Sequence, residues 1–273
     1  WAGPIVRYGI VRADGPAAQF TTTLQLPSQL TSYTDFSVVP GLLYTYVLTA
    51  HTAGGFTSAS PVSIRIPDAI PVWGSVLGPT VISILSRSAD VQFNLPEYPN
   101  GASNTYTVRA VSVDGAFHSD REAHNGAFNV LGGLVPYTRY RIHIEACSAV
   151  GCADSAATFL RTLPAQPEGL AAPVVERTSR ADQLQITWAA ATTQNGPLDR
   201  YLVFMRSESQ QVTTLFTGTD RRRVIAPGLT PQTQYSFFVQ SFTINVSIPA
   251  TSPDTDAMTP SSNPETVPTP TIL

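Results

Sequence analysis

The sequence contains no lysine, because all 16 of its basic residues are arginine. Charged residues of both signs make up only 13% of the 273 residues, about half the usual share for a soluble domain. The net charge is −3, and the longest basic run is Arg221–Arg223. Such a chain lacks the positive patch that nucleic-acid binding requires, so nucleic acid is excluded from the expected partners.

A long hydrophobic run is also missing. The best candidate begins at Val38 and is broken by Pro40 and Gly41, so it falls short of the roughly 20 apolar residues that cross a bilayer. No membrane span is therefore expected in this segment. There is no secretory leader, and Trp1 stands first instead of Met. We expect the chain to be a piece of a longer polypeptide or a processed product.

The sequence carries no familiar motif of enzymatic chemistry. It has no G-x-S-x-G elbow, phosphate-binding loop, dinucleotide fingerprint or H-E-x-x-H zinc motif. No pair of carboxylates stands apart from the others as a general acid and base. We expect no catalytic residues, no cofactor and no enzymatic activity.

What the sequence does contain is a threefold internal repeat. Two sets of tyrosines keep its phase: Tyr44, Tyr140 and Tyr235 at spacings of 96 and 95, and Tyr8, Tyr106 and Tyr201 at spacings of 98 and 95. A proline lies four residues before each tyrosine of the first set, and a glycine lies five residues before each tyrosine of the second set. A fixed period of this kind is the signature of an array of similar units.

The repeat predicts three modules and a tail. We place the first, second and third modules at residues 1–67, 68–164 and 165–260, and a linker rich in Pro, Ser and Thr at 261–273. Within each module, apolar and polar residues alternate after the first-set tyrosine, which is typical of a β-strand with one buried face. We predict an all-β fold of tandem immunoglobulin-like β-sandwiches arranged as an extended rod.

These landmarks resemble modules of the fibronectin type III family over nearly the whole chain. Trp188 in the segment QITW is similar to the core tryptophan of the family's second strand, and Phe93 takes that place in the second module. The L-x-P-x-T-x-Y segments that end at Tyr140 and Tyr235 are similar to the family's tyrosine corner. The resemblance implies that Trp188, Phe93 and both sets of tyrosines are structural core residues.

The first module departs from the family pattern. Its first landmark tyrosine is Tyr8, which leaves no room for two strands before it, and Trp1 lies too close to Tyr8 to be the core tryptophan. A sandwich that lacks these strands exposes an apolar face and an unpaired edge. We expect that another segment or a neighbouring chain supplies the strands, or that the sequence begins within a module.

The two cysteines, Cys147 and Cys152, lie on the two arms of a predicted hairpin. A disulfide between the arms is geometrically plausible, and closing so short a loop adds only about 2 kcal/mol of stability. A structural disulfide is the preferred interpretation, and free thiols or a metal site are the alternatives. Two cysteines alone fall short of a usual zinc site. Similar hairpin cysteines occur in some modules of large surface proteins.

Two further groups of residues are candidates for sites. The first is a set of four polar residues that alternate along the chain, His118, Asp120, Glu122 and His124. In an extended strand they would share one face and could hold a metal; a solvated loop or edge strand is the alternative interpretation.

Asn245 begins the glycosylation sequon Asn245–Val246–Ser247 in the predicted last hairpin of the third module. The sequon and a disulfide together favour an extracellular or cell-surface location.

These features predict a non-enzymatic spacer and protein-interaction array of an extracellular, cell-surface or matrix protein, as a building block for adhesion or a surface filament. The expected partners are other proteins, bound through hairpin loops or sheet edges, and further modules of the same or neighbouring chains. Two alternatives stay open. One is a set of accessory modules of a secreted carbohydrate-active enzyme, and the other is an intracellular cytoskeletal array with reduced cysteines.

Overall fold

The structure is a computed structural model that describes residues 3–14, 20–123 and 129–261. All regular secondary structure in these ranges is β-strand. The first module contains β1 Arg7–Asp14, β2 Phe20–Pro27, β3 Leu43–Thr52, β4 Gly55–Ser58 and β5 Val62–Arg65. The second contains β6 Thr80–Ile84, β7 Ala89–Gln92, β8 Thr105–Ser112, β9 His118–Glu122, β10 Asn129–Leu131, β11 Arg139–Ser148, β12 Gly151–Asp154 and β13 Thr158–Arg161. The third contains β14 Val174–Arg177, β15 Leu184–Thr187, β16 Leu198–Arg206, β17 Val212–Gly218, β18 Arg223–Ala226, β19 Gln234–Thr243, β20 Ala250–Thr251 and β21 Thr255–Met258.

These strands pair into antiparallel sheets. The first module contributes one five-stranded sheet in the order β2-β1-β3-β4, with β5 also pairing with β3. The second module has a three-stranded sheet, β10-β7-β6, and a five-stranded sheet, β12-β11-β8-β9 with β13 on β11. The third module repeats this plan with β14-β15-β18 and with β17-β16-β19-β20 plus β21 on β19. The predicted all-β fold of tandem sandwiches is confirmed. None of the described segments forms a helix of the length and apolarity that a bilayer crossing needs.

The chain divides into two compact units. One comprises Trp1–Ser83, Ala89–Gly132 and Tyr140–Leu160, and the other comprises Ile84–Ser88, Gly133–Arg139 and Arg161–Leu273. The sheet of the first module and most strands of the second belong to the former unit, and every strand of the third module belongs to the latter.

The core of the third module lies between its two sheets. Leu184 and Ile186 of β15 pack with Tyr201 and Val203 of β16 because alternate side chains of each strand point to the same face. Trp188 follows β15, and its ring centroid lies 6.1 Å from that of Tyr201. Burial of such apolar and aromatic surface is the main stabilising term of the module.

The second module places its aromatic residues in the same way. The Phe93 and Tyr106 ring centroids lie 5.9 Å apart, close to the Trp188–Tyr201 separation. Phe93 is buried, and it follows β7 as Trp188 follows β15. Phe93 therefore occupies the position of the core tryptophan, as the sequence spacing indicates.

Candidate functional site

The tyrosines of the first set close the loop that precedes their strand. The hydroxyl of Tyr44 accepts a hydrogen bond from the backbone N–H of Val39 at 2.8 Å, and the hydroxyl of Tyr235 accepts one from Thr230 at 3.1 Å. Both donors lie five residues before the tyrosine, and Tyr140 is buried at the equivalent position of β11. This geometry is that of a tyrosine corner, and it gives these residues a structural role.

One face of the sheet in the first module is left uncovered by the described residues. Side chains from four strands and the following loops line a concave pocket with a volume of about 890 Å³. These side chains include Tyr8, Ile10, Leu26, Tyr46, Leu48 and Ile64. Most of these side chains are apolar, because they occupy the inward positions of their strands. Such an apolar concave face is a surface that another segment or another chain can cover.

The equivalent positions of the other modules are fully covered. Leu48 is 45% exposed, whereas Ile144 of β11 and Val239 of β19, which also lie four residues after their tyrosine, are 0% exposed. In the third module, residues of β15 and β18 form one buried cluster with Val239. The described part of the first module has no second sheet of this kind, so the described residues leave its inward face uncovered.

A charged pair lies on this mostly apolar face. The Arg12 guanidinium is 2.9 Å from the Asp35 carboxylate, and their side chains are only 13% and 11% exposed. The Tyr46 hydroxyl donates to Asp35 at 2.9 Å, and the Ser37 hydroxyl donates to it at 2.7 Å. The sequence reasoning missed this network. The sequence did contain one sign of this network, a charged residue at an inward-facing position. Arg12 lies four residues after Tyr8, and the equivalent residue of the third module, four after Tyr201, is the apolar Met205.

The network changes the acid–base behaviour of its members. Hydrogen bonds from Ser37, followed by those from Arg12 and Tyr46, hold the pKa of Asp35 well below its usual range against the opposing effect of burial. Burial and the hydrogen bond to Asp35 raise the pKa of Tyr46 to about 12. The hydrogen bond to Asp35 also raises the pKa of Arg12. At neutral pH the network therefore holds one cation, one anion and a neutral phenol.

The segment that contains Asp35 is a strand in the other modules. Leu131 of β10 and Ala226 of β18 lie nine residues before their tyrosine, as Asp35 does, and both are buried. Their strands pair with β7 and β15, which have no counterpart in the described part of the first module. Residues 28–42 accordingly form no strand.

The two cysteines are joined by a disulfide with a Cα–Cα distance of 4.0 Å. Cys147 of β11 and Cys152 of β12 lie directly opposite each other in the antiparallel register. Cys147 is half-buried and Cys152 is exposed, so the bond spans the hairpin at its outer surface. It fastens two neighbouring strands and does not link the two sheets.

Charged side chains form a row on the outer face of the same sheet. Arg109 of β8 lies 2.6 Å from Asp120 of β9 and 2.6 Å from Glu145 of β11. His143 of β11 is buried beneath its neighbours, with its Nε2 atom 3.6 Å from Asp154. Burial is the first cause that lowers the pKa of His143, so the ring is neutral at pH 7. Paired charges of this kind are typical of a solvated sheet face.

The structure does not gather the metal candidates into one site. His118, Asp120 and Glu122 share one face of β9, but Asp120 is paired with Arg109. In the described ranges, the only group of three possible ligands is Glu145 with Cys147 and Cys152, and both of its cysteines are in the disulfide. His124 lies outside the described residues.

Asn245 lies in the turn between β19 and β20, with a φ of 62°. Asn245 and Ser247 are both exposed, and this turn corresponds to the one between Cys147 and Cys152 in the second module. An exposed sequon in a hairpin turn is open to a glycosyltransferase. Glycosylation of Asn245 stays a prediction.

Comparison with known proteins identifies similar sequences. The family described as "Fibronectin type III domain" matches residues 166–254. Usherin of Homo sapiens is 28% identical over 208 residues, which cover 76% of this chain and 4% of usherin. Phosphatidylinositol phosphatase PTPRQ of Rattus norvegicus is 26% identical over 241 residues, which cover 85% of this chain and 10% of PTPRQ.

Neogenin of Mus musculus is 24% identical over 247 residues, which cover 87% of this chain and 16% of neogenin. The chain thus spans less than a fifth of each of these three relatives. Usherin, PTPRQ and neogenin are large cell-surface proteins with repeats of this family. The similarity supports a structural or interaction role.

Proposed function

Because residues 166–254 match the fibronectin type III family and relatives with repeats of that family match most of the chain, we propose that it is a non-enzymatic segment of an extracellular or cell-surface protein that spaces and presents protein-binding surfaces. The observation that carries this proposal is the uncovered apolar face of the first module. Leu48 and Ile64 on that face are about half exposed. A contiguous apolar face of this kind is typical of a surface that another segment or another protein covers.

Three features support the extracellular location. A disulfide persists in oxidising compartments and is rare in cytosolic proteins, and Cys147 is bonded to Cys152. The sequon at Asn245 is exposed, and N-glycans are added in the secretory pathway. The three relatives named above are cell-surface proteins.

Intact mass of the native protein, measured before and after reduction and before and after glycosidase treatment, tests this location. We expect a gain of about 2 Da on reduction, since one disulfide becomes two thiols, and a loss of glycan mass. A native protein with neither change would favour the intracellular cytoskeletal alternative. The alternative of accessory modules on a carbohydrate-active enzyme predicts retention on immobilised polysaccharide, which the proposed function does not.

A second candidate function is a surface-filament building block, favoured by the same open face. We propose as its occupant a pair of antiparallel β-strands of the β14–β15 type, donated by another segment or chain. In the third module, β15 places Leu184 and Ile186 against the face that corresponds to Tyr46 and Leu48. Backbone pairing would also give the segment that contains Asp35 the partner strand that β10 and β18 have.

A dye-labelled peptide of residues 172–190, which contains β14 and β15, tests strand donation by fluorescence anisotropy. We expect saturable binding that Leu48→Glu weakens at least tenfold, because the carboxylate would be buried against apolar side chains. Val47→Glu, on the opposite face of β3, is the matched control and should bind like the wild type. Absence of saturable binding, or equal binding by both variants, would exclude donation to this face.

A further inference from the structure

Two asparagines hold the segment that leads into their own module. The carbonyl oxygen of Asn100 accepts a hydrogen bond from the N–H of Ala69 at 2.7 Å. The side-chain amide of Asn100 donates to the carbonyl of Ile70 at 2.9 Å. One residue thus binds two consecutive residues, the N–H of Ala69 and the carbonyl of Ile70, that lie about 30 positions earlier in the chain.

Asn195 repeats this arrangement in the third module. Its carbonyl accepts from the N–H of Ala165 at 2.9 Å, and its side-chain amide donates to the carbonyl of Gln166 at 2.8 Å. A second contact joins the same amide to Glu168 at 3.1 Å. Asn195 is 7% exposed, so loss of these bonds would leave a buried amide without partners.

The two arrangements also share a register. Three residues after the bound alanine, an isolated bridge joins Val72 to Tyr98 in one case and Glu168 to Thr193 in the other. Each bridge ends two residues before its asparagine. The same spacing of alanine, bridge and asparagine in two modules indicates that this arrangement is a recurrent structural feature of the repeat. We call it the linker clasp, defined by Asn100 with Ala69 and Ile70, and by Asn195 with Ala165 and Gln166.

Backbone conformation explains why asparagine is used. Asn100 and Asn195 have φ angles of 55° and 54°, which lie in the left-handed region that Gly and Asn adopt most readily. Glycine would satisfy the backbone but could not donate the side-chain hydrogen bond. Asparagine meets both requirements.

The clasp at Asn100 also lies against the first module. A Cβ atom added to Gly41, in the loop before β3, would meet the carbonyl carbon of Gly101 at 2.6 Å. The loop of the first module and the turn that follows Asn100 are therefore in direct contact. The bound segment and this contact therefore lie at the same junction.

We propose that Asn100 and Asn195 are positioning residues that fix the linker before each module, and that Asn100 thereby sets the orientation of the first module against the second. The carbonyl of each asparagine binds the N–H of one linker residue, and the side-chain amide binds the carbonyl of the next residue. Neither residue is part of the proposed binding face, so the clasp is independent of that face.

Amide hydrogen exchange in the full chain tests the clasp. Asn100→Gly keeps the left-handed φ and loses the side-chain donor, so we expect exchange at Ala69 to rise about fivefold, as loss of one typical hydrogen bond implies. Exchange at Ala165 should not change. Asn195→Gly should give the reverse result, so that each variant controls for the other. The core amides of Val108 and Val203 should exchange as in the wild type, which excludes unfolding of the modules.

Asn100→Asp separates the lost donor from added flexibility. Aspartate tolerates the same φ but a carboxylate only accepts hydrogen bonds, so it should accelerate exchange at Ala69 as glycine does. If Ala69 exchanged at the wild-type rate in Asn100→Asp, the faster exchange in Asn100→Gly would come from added backbone flexibility, and the clasp proposal would be wrong.

Residual dipolar couplings test the orientation of the first module against the second. The two modules should share one alignment tensor in the wild type and should not share one in Asn100→Asp. A shared tensor in both proteins would overturn the orienting role.

Discussion

At the scale of single residues, the conspicuous aromatic side chains are used for packing and for closing loops. Tyr201 and Trp188 are buried against each other, and the Tyr44 and Tyr235 hydroxyls bind the backbone. The Tyr44 and Tyr235 hydroxyls do what an apolar side chain cannot, since each accepts a hydrogen bond from a backbone N–H in a loop. Their recurrence in the sequence follows from this architecture.

Tyr235→Phe removes one hydrogen-bond acceptor and little else. The N–H of Thr230 loses its partner, but Thr230 is exposed, so water replaces part of the bond. We expect a loss of about 0.5–1.5 kcal/mol in the free energy of unfolding of the third module, measured by urea denaturation. Tyr137→Phe, whose ring is partly exposed, is the control and should change little. An equal loss in free energy of unfolding for Tyr235→Phe and Tyr137→Phe would argue against a stabilising tyrosine corner at Tyr235.

The Arg12–Asp35 pair predicts a pH-dependent stability of the first module. The pKa of Asp35 is lower in the folded chain than in the unfolded chain, where it is about 3.9. The stabilisation is therefore complete above that pH and is lost as the pH falls toward the folded value. Asp35→Asn should lose on the order of 1 kcal/mol at pH 7, and its difference from the wild type should shrink below about pH 4.

The matched control for this prediction is Asp220→Asn. Asp220 pairs with Arg221 at the surface, and exposed ion pairs contribute little to stability. Hydrogen exchange of the amides in β1 and β3, followed as a function of pH, gives the free energy of opening. A constant difference between Asp35→Asn and the wild type from pH 7 to pH 3 would contradict the prediction.

At the scale of strands, β3, β11 and β19 are three copies of one element in different surroundings. Ile144→Ala, in β11, should cost about 2–5 kcal/mol because it opens a cavity in a closed core. Leu48→Ala, in β3, should cost less than about 1 kcal/mol because a half-exposed side chain loses little burial. Chemical denaturation of both variants measures the difference. Equal costs would show that another segment covers β3 in solution.

The disulfide belongs to a single hairpin, so its energetic effect is local. The double variant Cys147→Ala/Cys152→Ala should lower the free energy of unfolding of the second module by about 2 kcal/mol, the entropy of a very short closed loop. The β9 strand, on the other edge of the sheet, should keep its protection from hydrogen exchange. Loss of protection throughout the second module would give the disulfide a larger role.

Much of this fold could be predicted from the sequence because its signals are local. The alternation after Tyr140 predicts β11, and the 13-residue spacing from Phe93 to Tyr106 places Phe93 at the position that Trp188 has before Tyr201. Arg12 and Asp35 could not be paired in advance, since they are 23 residues apart and meet only because β1 and the later loop share a face. The clasp of Asn100 escaped prediction for the same reason, although its Asn-Gly turn was visible.

At the scale of the whole molecule, the chain combines closed sandwiches with one open sheet. The sandwiches of the second and third modules bury their inward faces, while the described part of the first does not. Asn100 and Asn195 bind the segments before their modules. We propose that a segment or chain outside the described residues covers the open face of the first module, and that Asn100 fixes the linker before the second module.

The sequon allows the proposed location to be tested on the whole chain. Asn245 is exposed and lies in a turn, so expression through a secretory pathway should add one N-glycan, seen as a mass increase that a glycosidase removes. Ser247→Ala destroys the sequon but keeps Asn245 and its left-handed φ of 62°, so it should be secreted and folded without the added mass. If glycosidase treatment removed no mass from either the secreted wild type or Ser247→Ala, Asn245 would not be a glycan site. The extracellular proposal would then depend on the disulfide and the relatives alone.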